Sequence, residues 1–336
     1  MNARLATRAK VFVFAGCAGL AFPATASAQY SMRRTADLVQ LEDAAHRTVV
    51  TIAPSAGNLT RELTVNGTNI LGPLGIPFLA PWANRLDEQA FYANGKRYAL
   101  NMDLGNVRGA HPIHGFLSAA VWTVVDARSD EGSAWVTSRL EFFRQPDWMA
   151  QFPFAHTIET THRLRDGVLD VTVELHNLSA APMPVAVGFH PYFRLTDAAR
   201  DAWTIALGAR TEWLLAEDKI PTGETRPIER RFPDPRAAML REHDLDHVFG
   251  DLIRDASGRA AMSVAGAAQR IDVVFGPNYQ AAVVYAPKGR DFICFEPMAG
   301  ITDALNLAQR GLYKDLQYIP AGGTWKETFW VRPGGF

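Results

Sequence analysis

The chain has 336 residues, with 34 Lys+Arg against 35 Asp+Glu and a formal charge of −1. A chain so balanced lacks the basic excess of a nucleic-acid binder. With 48% apolar and 21% charged residues it has the composition of a globular protein with a large core, not of a disordered one. Two cysteines exclude a disulfide scaffold and a cysteine-rich zinc site.

The first segment reads as a leader. Arg4, Arg8 and Lys10 form a basic start without acidic residues, Val11 to Phe22 is mostly apolar, and Ala26-Ser27-Ala28 has small residues at the cleavage spacing. That is the layout of a secretory signal peptide over residues 1–28. The apolar run is shorter than the ~20 residues a spanning helix needs, and no later segment qualifies. Cleavage would leave residues 29–336 with 31 basic and 35 acidic residues, a charge of −4. It would also leave Cys294 as the only thiol. Phe14-Ala15-Gly16-Cys17 resembles a lipoprotein acylation box faintly, so a lipid anchor at Cys17 is the minor alternative to export into a bacterial periplasm.

Beyond the leader, period-two alternation dominates. Leu169, Val171, Val173 and Leu175 are apolar and Asp170, Thr172, Glu174 and His176 are polar, the pattern of a half-buried strand. Asp166-Gly167 is a hairpin turn linking it to a strand around 155–164. In chain order, further strands are expected at 48–52, 120–126, 134–142, 271–275, 281–285, 292–295 and 324–331. Turn residues such as Asn66-Gly67, Asn94-Gly95 and Pro287-Lys288-Gly289 separate many of them. Many strands without alternating helices predict an all-β fold, a large antiparallel β-sandwich or barrel in one domain. The stretch 198–247, rich in Pro and charge, is expected to hold long connections and a short helix.

Five short segments carry candidate chemistry. Asn84-Arg85 offers an amide and a rigid fork of donors. His111 and His114 lie three apart, but Pro112 breaks helical geometry and no acidic or Cys partner follows nearby, so no metal is expected. His190 opens the run His190-Pro191-Tyr192-Phe193. Asp246 precedes His247, where a turn or cap is the plainer reading. Glu296 ends an apolar strand, a place where an isolated carboxylate needs partners or a raised pKa. Cys294 lies on the same strand face and reads as a small core residue.

Taken in order, these segments resemble the aldose 1-epimerase (mutarotase) family. Asn84-Arg85 followed by Gly95-Lys96-Arg97-Tyr98, His114-Gly115, His190-Pro191-Tyr192-Phe193, Pro221-Thr222-Gly223, Asp246-His247-Val248-Phe249 and Glu296-Pro297 are similar to its ordered motifs over residues 38–332. The resemblance implies a galactose mutarotase-like supersandwich with its site on one concave sheet, and a small sugar as substrate. It implies Glu296 as base and His190 as acid in opening and closing an aldose ring, without a cofactor. It also implies Arg85, Asn84, His114 and Asp246 as binders of sugar hydroxyls and ring oxygen. Trp82, Phe116, Tyr192 and Phe193 adjoin these motifs and are candidates to shield the apolar face of a sugar, against plain core packing.

The sequence departs from the galactose-type pattern at Val283-Val284-Tyr285, where better-known members carry a Gln two residues before a Tyr, so preference for galactose is not implied. Other readings are an epimerase of hexose 6-phosphates, with Arg194 or Arg108 meeting the phosphate, a non-catalytic carbohydrate-binding sandwich, and a lyase domain acting on uronate polymers. Asn58, Asn66 and Asn177 begin Asn-x-Ser/Thr sequons that matter only in a glycosylating host.

Overall fold

A computed structural model describes residues 28–103 and 106–336. The leader through Ser27, with Cys17, lies outside the described residues.

The alternating residues form strands that pair almost wholly antiparallel. A nine-stranded sheet runs in the order Thr123–Ser129, Ala134–Glu141, His156–Arg165, Val168–Asn177, Thr324–Gly334, Arg270–Phe275, Ala260–Ala265, Thr204–Leu207, Ala238–Met239. The expected hairpin is present: Arg165 pairs with Val168 across Asp166-Gly167, both with positive φ. A second sheet runs Pro221–Pro227, Ala209–Leu215, Leu245–Leu252, Ala281–Ala286, Ile293–Met298, Gly188–Phe189, Phe78–Leu79, and Tyr192–Phe193 joins it on Ile293–Met298. A third, five-stranded sheet spans Tyr30 to Asn69 and packs across Ala134–Glu141 and His156–Arg165.

Alternation decides what the sheets bury. Val171, Val173, Phe329, Val331, Val273 and Phe275 stand on the inner face of the nine-stranded sheet. They meet Phe189, Phe295 and Val284 from the second sheet in one core; the Phe189 and Phe329 rings lie 4.9 Å apart. The side chains between them in sequence, such as Asp170, Trp330 and Arg332, face outward.

The stretch 198–247 is more regular than its composition suggests. It contains Thr204–Leu207, Ala209–Leu215, Pro221–Pro227 and Ala238–Met239, with three-residue 3-10 turns at Arg200–Ala202, Ile228–Arg230 and Leu240–Glu242 in place of a helix. Pro221 and Pro227 are tolerated because their strand is the edge of its sheet, where one side has no ladder to complete. The α-helices among the described residues are Pro146–Gln151 and Ala304–Gln309. No helix there is long and apolar enough to cross a membrane.

Candidate active site

The second sheet brings four of its strands into a common register. Asp246 pairs with Tyr285, Tyr285 with Cys294, and Cys294 with Tyr192. One step along, Val248 pairs with Val283 and Val283 with Glu296. The strand beside Glu296 is interrupted. Gly188 pairs with Met298 and Tyr192 with Cys294, so the residue between them that falls opposite Glu296 is His190. There Pro191 supplies no N–H, and the His190 N–H turns to the Pro77 carbonyl instead, at 3.0 Å. Gly188 is required at the start of this break, since a Cβ there would sit 2.6 Å from Met298 Sδ and 2.9 Å from the Pro297 carbonyl.

His190 and Glu296 consequently face each other from neighbouring strands, with Nε2 3.3 Å from Oε1. The His190 ring stacks on Tyr192, centroids 4.5 Å apart, and the Tyr192 hydroxyl lies 3.4 Å from the same Nε2. Both groups are deeply buried. Burial drives the Glu296 carboxyl well above its usual range, with the nearby Asp246 adding to the rise and Arg85 opposing it. Burial drives the His190 imidazole well below its usual range, with His114 adding to the fall. Glu296 Oε2 and His190 Nδ1 have no hydrogen-bond partner among the described residues.

Two loops close over this pair. Asn84 and His114 both adopt left-handed backbone, φ 59° and 61°. They hold each other: the His114 N–H donates to the Asn84 carbonyl at 3.0 Å, and the Asn84 N–H donates to His114 Nδ1 at 3.1 Å. An accepting Nδ1 fixes the neutral tautomer with its proton on Nε2. Burial and the cations Arg85 and Arg108 lower the His114 pKa to about 4, so it remains a donor at neutral pH. Gly115 lets the loops meet, since a Cβ there would lie 1.9 Å from the Ala80 carbonyl oxygen. The Asn84 side-chain oxygen accepts from the Arg85 N–H at 2.9 Å and from Arg85 Nη1 at 3.1 Å, while Arg85 Nη2 stands 3.8 Å from Asp246 Oδ2. The fork of Arg85 is thereby aimed before any ligand arrives.

The resulting cleft encloses about 310 Å³. Glu296, His190, Arg85, Asn84, His114 and Asp246 all line it, so these six residues, far apart in the sequence, reach one place. The aromatic candidates divide. Tyr192 lines the cleft, but Trp82 and Phe116 pack edge-on against each other and Phe193 is fully buried in the core. His111 turns away, with Nδ1 3.1 Å from the Leu86 carbonyl and Nε2 3.2 Å from Asp218. Arg194 lines a separate groove with Arg61 and Asp291, whereas Arg108 does reach the cleft. Cys294 is buried, and burial pushes its thiol pKa up, which keeps it inert.

The comparisons with known proteins accord with this arrangement. The aldose 1-epimerase family model matches residues 37–332. The chain belongs to the aldose 1-epimerase family. A galactose mutarotase-like protein from Clostridium acetobutylicum superposes with a TM-score of 0.79 at 19% identity, over 91% of this chain and 98% of that one. Galactose 1-epimerase from Lactobacillus acidophilus gives 0.72 at 17% identity, over 91% and 98%. An aldose epimerase homologue from C. elegans gives 0.67 at 16%, over 86% and 96%. At such identities the likeness establishes the fold. No curated protein matches.

Within this family member the sequence reading missed several cleft residues: Asn106, Val107, Ile113 and Tyr285. The register was the signal for Tyr285, because it sits between Asp246 and Cys294 on one row. It also missed the group that carries the Asn84-Arg85 loop from below. Asp303, buried and with φ 57°, donates its N–H to the Arg85 carbonyl at 3.0 Å and accepts from the Asp87 N–H at 2.9 Å. Asn306 Nδ2 donates to the Asp87 and Ala90 carbonyls and to Asp303 Oδ1.

Proposed function

We propose that the protein interconverts the α and β anomers of a free aldose. The observation that carries this reading is the pairing of Glu296 and His190 at 3.3 Å in a cleft where Arg85 and His114 donate and Asp246 accepts. Mutarotation takes the proton from the C1 hydroxyl, breaks the C1–O5 bond and puts a proton on O5. The C1–C2 bond then turns and both transfers reverse. The reaction needs one base and one acid sharing one proton, and no net proton is consumed.

In this scheme Glu296 accepts the C1 hydroxyl proton and His190 gives its own to O5. Ring opening therefore converts a carboxylate–imidazolium pair into a neutral carboxylic acid and imidazole. Burial disfavours both charges, so the neutral pair that accompanies the open chain is the form the dry cleft prefers. The two transfers are thereby driven toward opening, and the sugar's own closure restores the starting pair. Arg85, His114 and Asp246 hold the ring hydroxyls and orient C1 between the two groups. Val283, the neighbour of Glu296 on its row, offers no hydrogen bond to a hydroxyl, so nothing at that position favours galactose.

Polarimetry or proton NMR on freshly dissolved α-glucose, α-galactose and α-arabinose tests the reading. Anomer equilibration should be faster with protein, and Glu296→Gln should remove the acceleration while the fold persists. No acceleration of any sugar would sink the proposal and favour a binding module. Because Arg108 lines the cleft, a hexose 6-phosphate belongs in the same panel as a second reading. Acceleration confined to it would move the substrate class. Export, expected from the leader, is part of the proposal and is tested by fractionating cells that make the tagged chain.

A further inference from the structure

The outer face of the nine-stranded sheet carries a second, larger depression of about 450 Å³. Its floor is made of small outward residues on adjacent strands: Ala206 faces Ser263, and Ser263 faces Asp272. Gly208 closes one end, where a Cβ would meet the Ala261 carbonyl at 2.3 Å. The walls are long and cationic. Arg236, Arg254, Arg259, Arg270 and Arg332 line the groove with only Asp255 and Asp272 among them, a net charge of +3 on a chain of −1.

These arginines are held in different ways. Arg254 caps the Gly258, Gly276 and Tyr279 carbonyls and forms no ion pair among the described residues, with the Glu327 carboxylate acting on it more distantly. Arg259 lies over the Trp330 ring, 4.1 Å from its centroid, an anchorage that fixes the fork without an ion pair, although Asp170, Asp255 and Glu327 stand near enough to feel its charge. Arg270 pairs with Asp272 and donates to Ser263. Asp255 is taken up by its own turn, accepting from the Ser257 and Arg259 N–H groups. Asp170, in register with Trp330, faces Arg259 and Arg332 more distantly and softens their field. Arg236 and Arg332 form no ion pair among the described residues and are exposed at the rim.

Cations gathered this closely repel one another unless an anion joins them, and the guanidinium fork is shaped for the paired oxygens of carboxylate or phosphate. We infer that this groove is a binding site for a small, multiply charged anion bearing two or more phosphate or carboxylate groups. The site is separate from the sugar cleft. Ser263, Asp272 and Arg332 point away from the core that the cleft's sheet covers, so a ligand here touches neither Glu296 nor His190. Its occupancy is independent of the anomer chemistry.

Isothermal titration of the full chain at low ionic strength, with pyrophosphate and separately with digalacturonate, tests this. Cellobiose serves as the neutral control. One-site binding is expected for at least one anion and none for cellobiose, with affinity falling as salt is added. The double variant Arg236→Ala/Arg332→Ala should weaken it by about tenfold or more. Arg332→Glu should do the same, and anomer equilibration should stay at the wild-type rate in both. Binding of pyrophosphate alone identifies a phosphate source, and binding of digalacturonate alone a uronate source. Failure of both anions to bind, or binding of equal strength in the double variant, overturns the inference.

Discussion

At the scale of single residues, the proposed acid–base pair Glu296–His190 is expected to set the pH dependence. In the proposed reaction the pair carries one proton. Adding a second proton charges His190, and burial pushes that step below the ordinary imidazole value of 6.5. Removing the last proton charges Glu296, and burial pushes that step well above the ordinary carboxylate value of 4.5. The profile of kcat/KM for anomer equilibration is therefore expected to be bell-shaped, with its acid limb below 6.5 and its alkaline limb displaced upward from the ordinary carboxylate range. An acid limb above 6.5 would contradict this assignment. His190→Asn should lose about 10²–10⁴-fold in rate, the range general acid catalysis supplies. The identities of these residues were legible in the sequence because their motifs are short and ordered. Their meeting was not, since Glu296 and His190 are more than a hundred residues apart and only the shared register joins them. The fate of Trp82, Phe116 and Phe193 was equally hidden, because an aromatic beside a motif has the same local sequence whether it faces a cleft or a core.

At the scale of elements, the Asn84-Arg85 loop owes its shape to partners from far along the chain. Asn306, on the short helix Ala304–Gln309, bonds two carbonyls of that loop region and Asp303 with one amide group. Asn306→Ala leaves those acceptors buried and unpaired, a cost of about 1–3 kcal/mol. It should lower the denaturation midpoint and raise KM through a displaced Arg85, with a smaller change in kcat. Unchanged stability would mean that water replaces the amide fully. This support was illegible because Asp303 reads as an ordinary helix cap while its carboxylate bonds the Asp87 N–H and the Asn306 amide instead, and the helix is too short to announce itself by period. The misread stretch 198–247 has a related cause. Its strands are two to seven residues long and several lie at sheet edges, where burial is partial and alternation fades.

At the scale of the whole molecule, buried histidines make folding sensitive to acid. His156 and His162 are buried on the strand His156–Arg165 of the nine-stranded sheet, and burial lowers both to about 4. Unfolded, each titrates near 6.5. Below that value the unfolded chain binds more protons, so stability falls as pH drops from 6.5 to 4, by up to ~3 kcal/mol for each group. Asp303 acts in the other direction: its folded pKa is raised to about 7, so its contribution declines as pH rises from 3.8 to 7. Replacing His162 by Leu isolates one term. Urea denaturation of wild type and variant at pH 7.5 and 4.5 should show a smaller acid loss in the variant by about 2–3 kcal/mol. An identical loss would place the acid sensitivity elsewhere. The sandwich itself was legible from alternation and turn residues, since period-two burial repeats over so many strands. The division into three large sheets and three two-stranded ones, and the strand order, were not, because they depend on long-range pairing.

The interrupted strand at Gly188–Tyr192 also bears on how this chain can change length. His190 stands opposite Glu296 only because the residues across the interruption add up to the same register on both sides of it. A one-residue insertion or deletion between Gly188 and Tyr192 would turn the imidazole toward the core and bring a neighbour opposite Glu296. The turn at Gly289, open to solvent, has no such arithmetic to satisfy. Lineages descended from this chain should accumulate insertions at that turn and hold the five residues from Gly188 to Tyr192 at constant length.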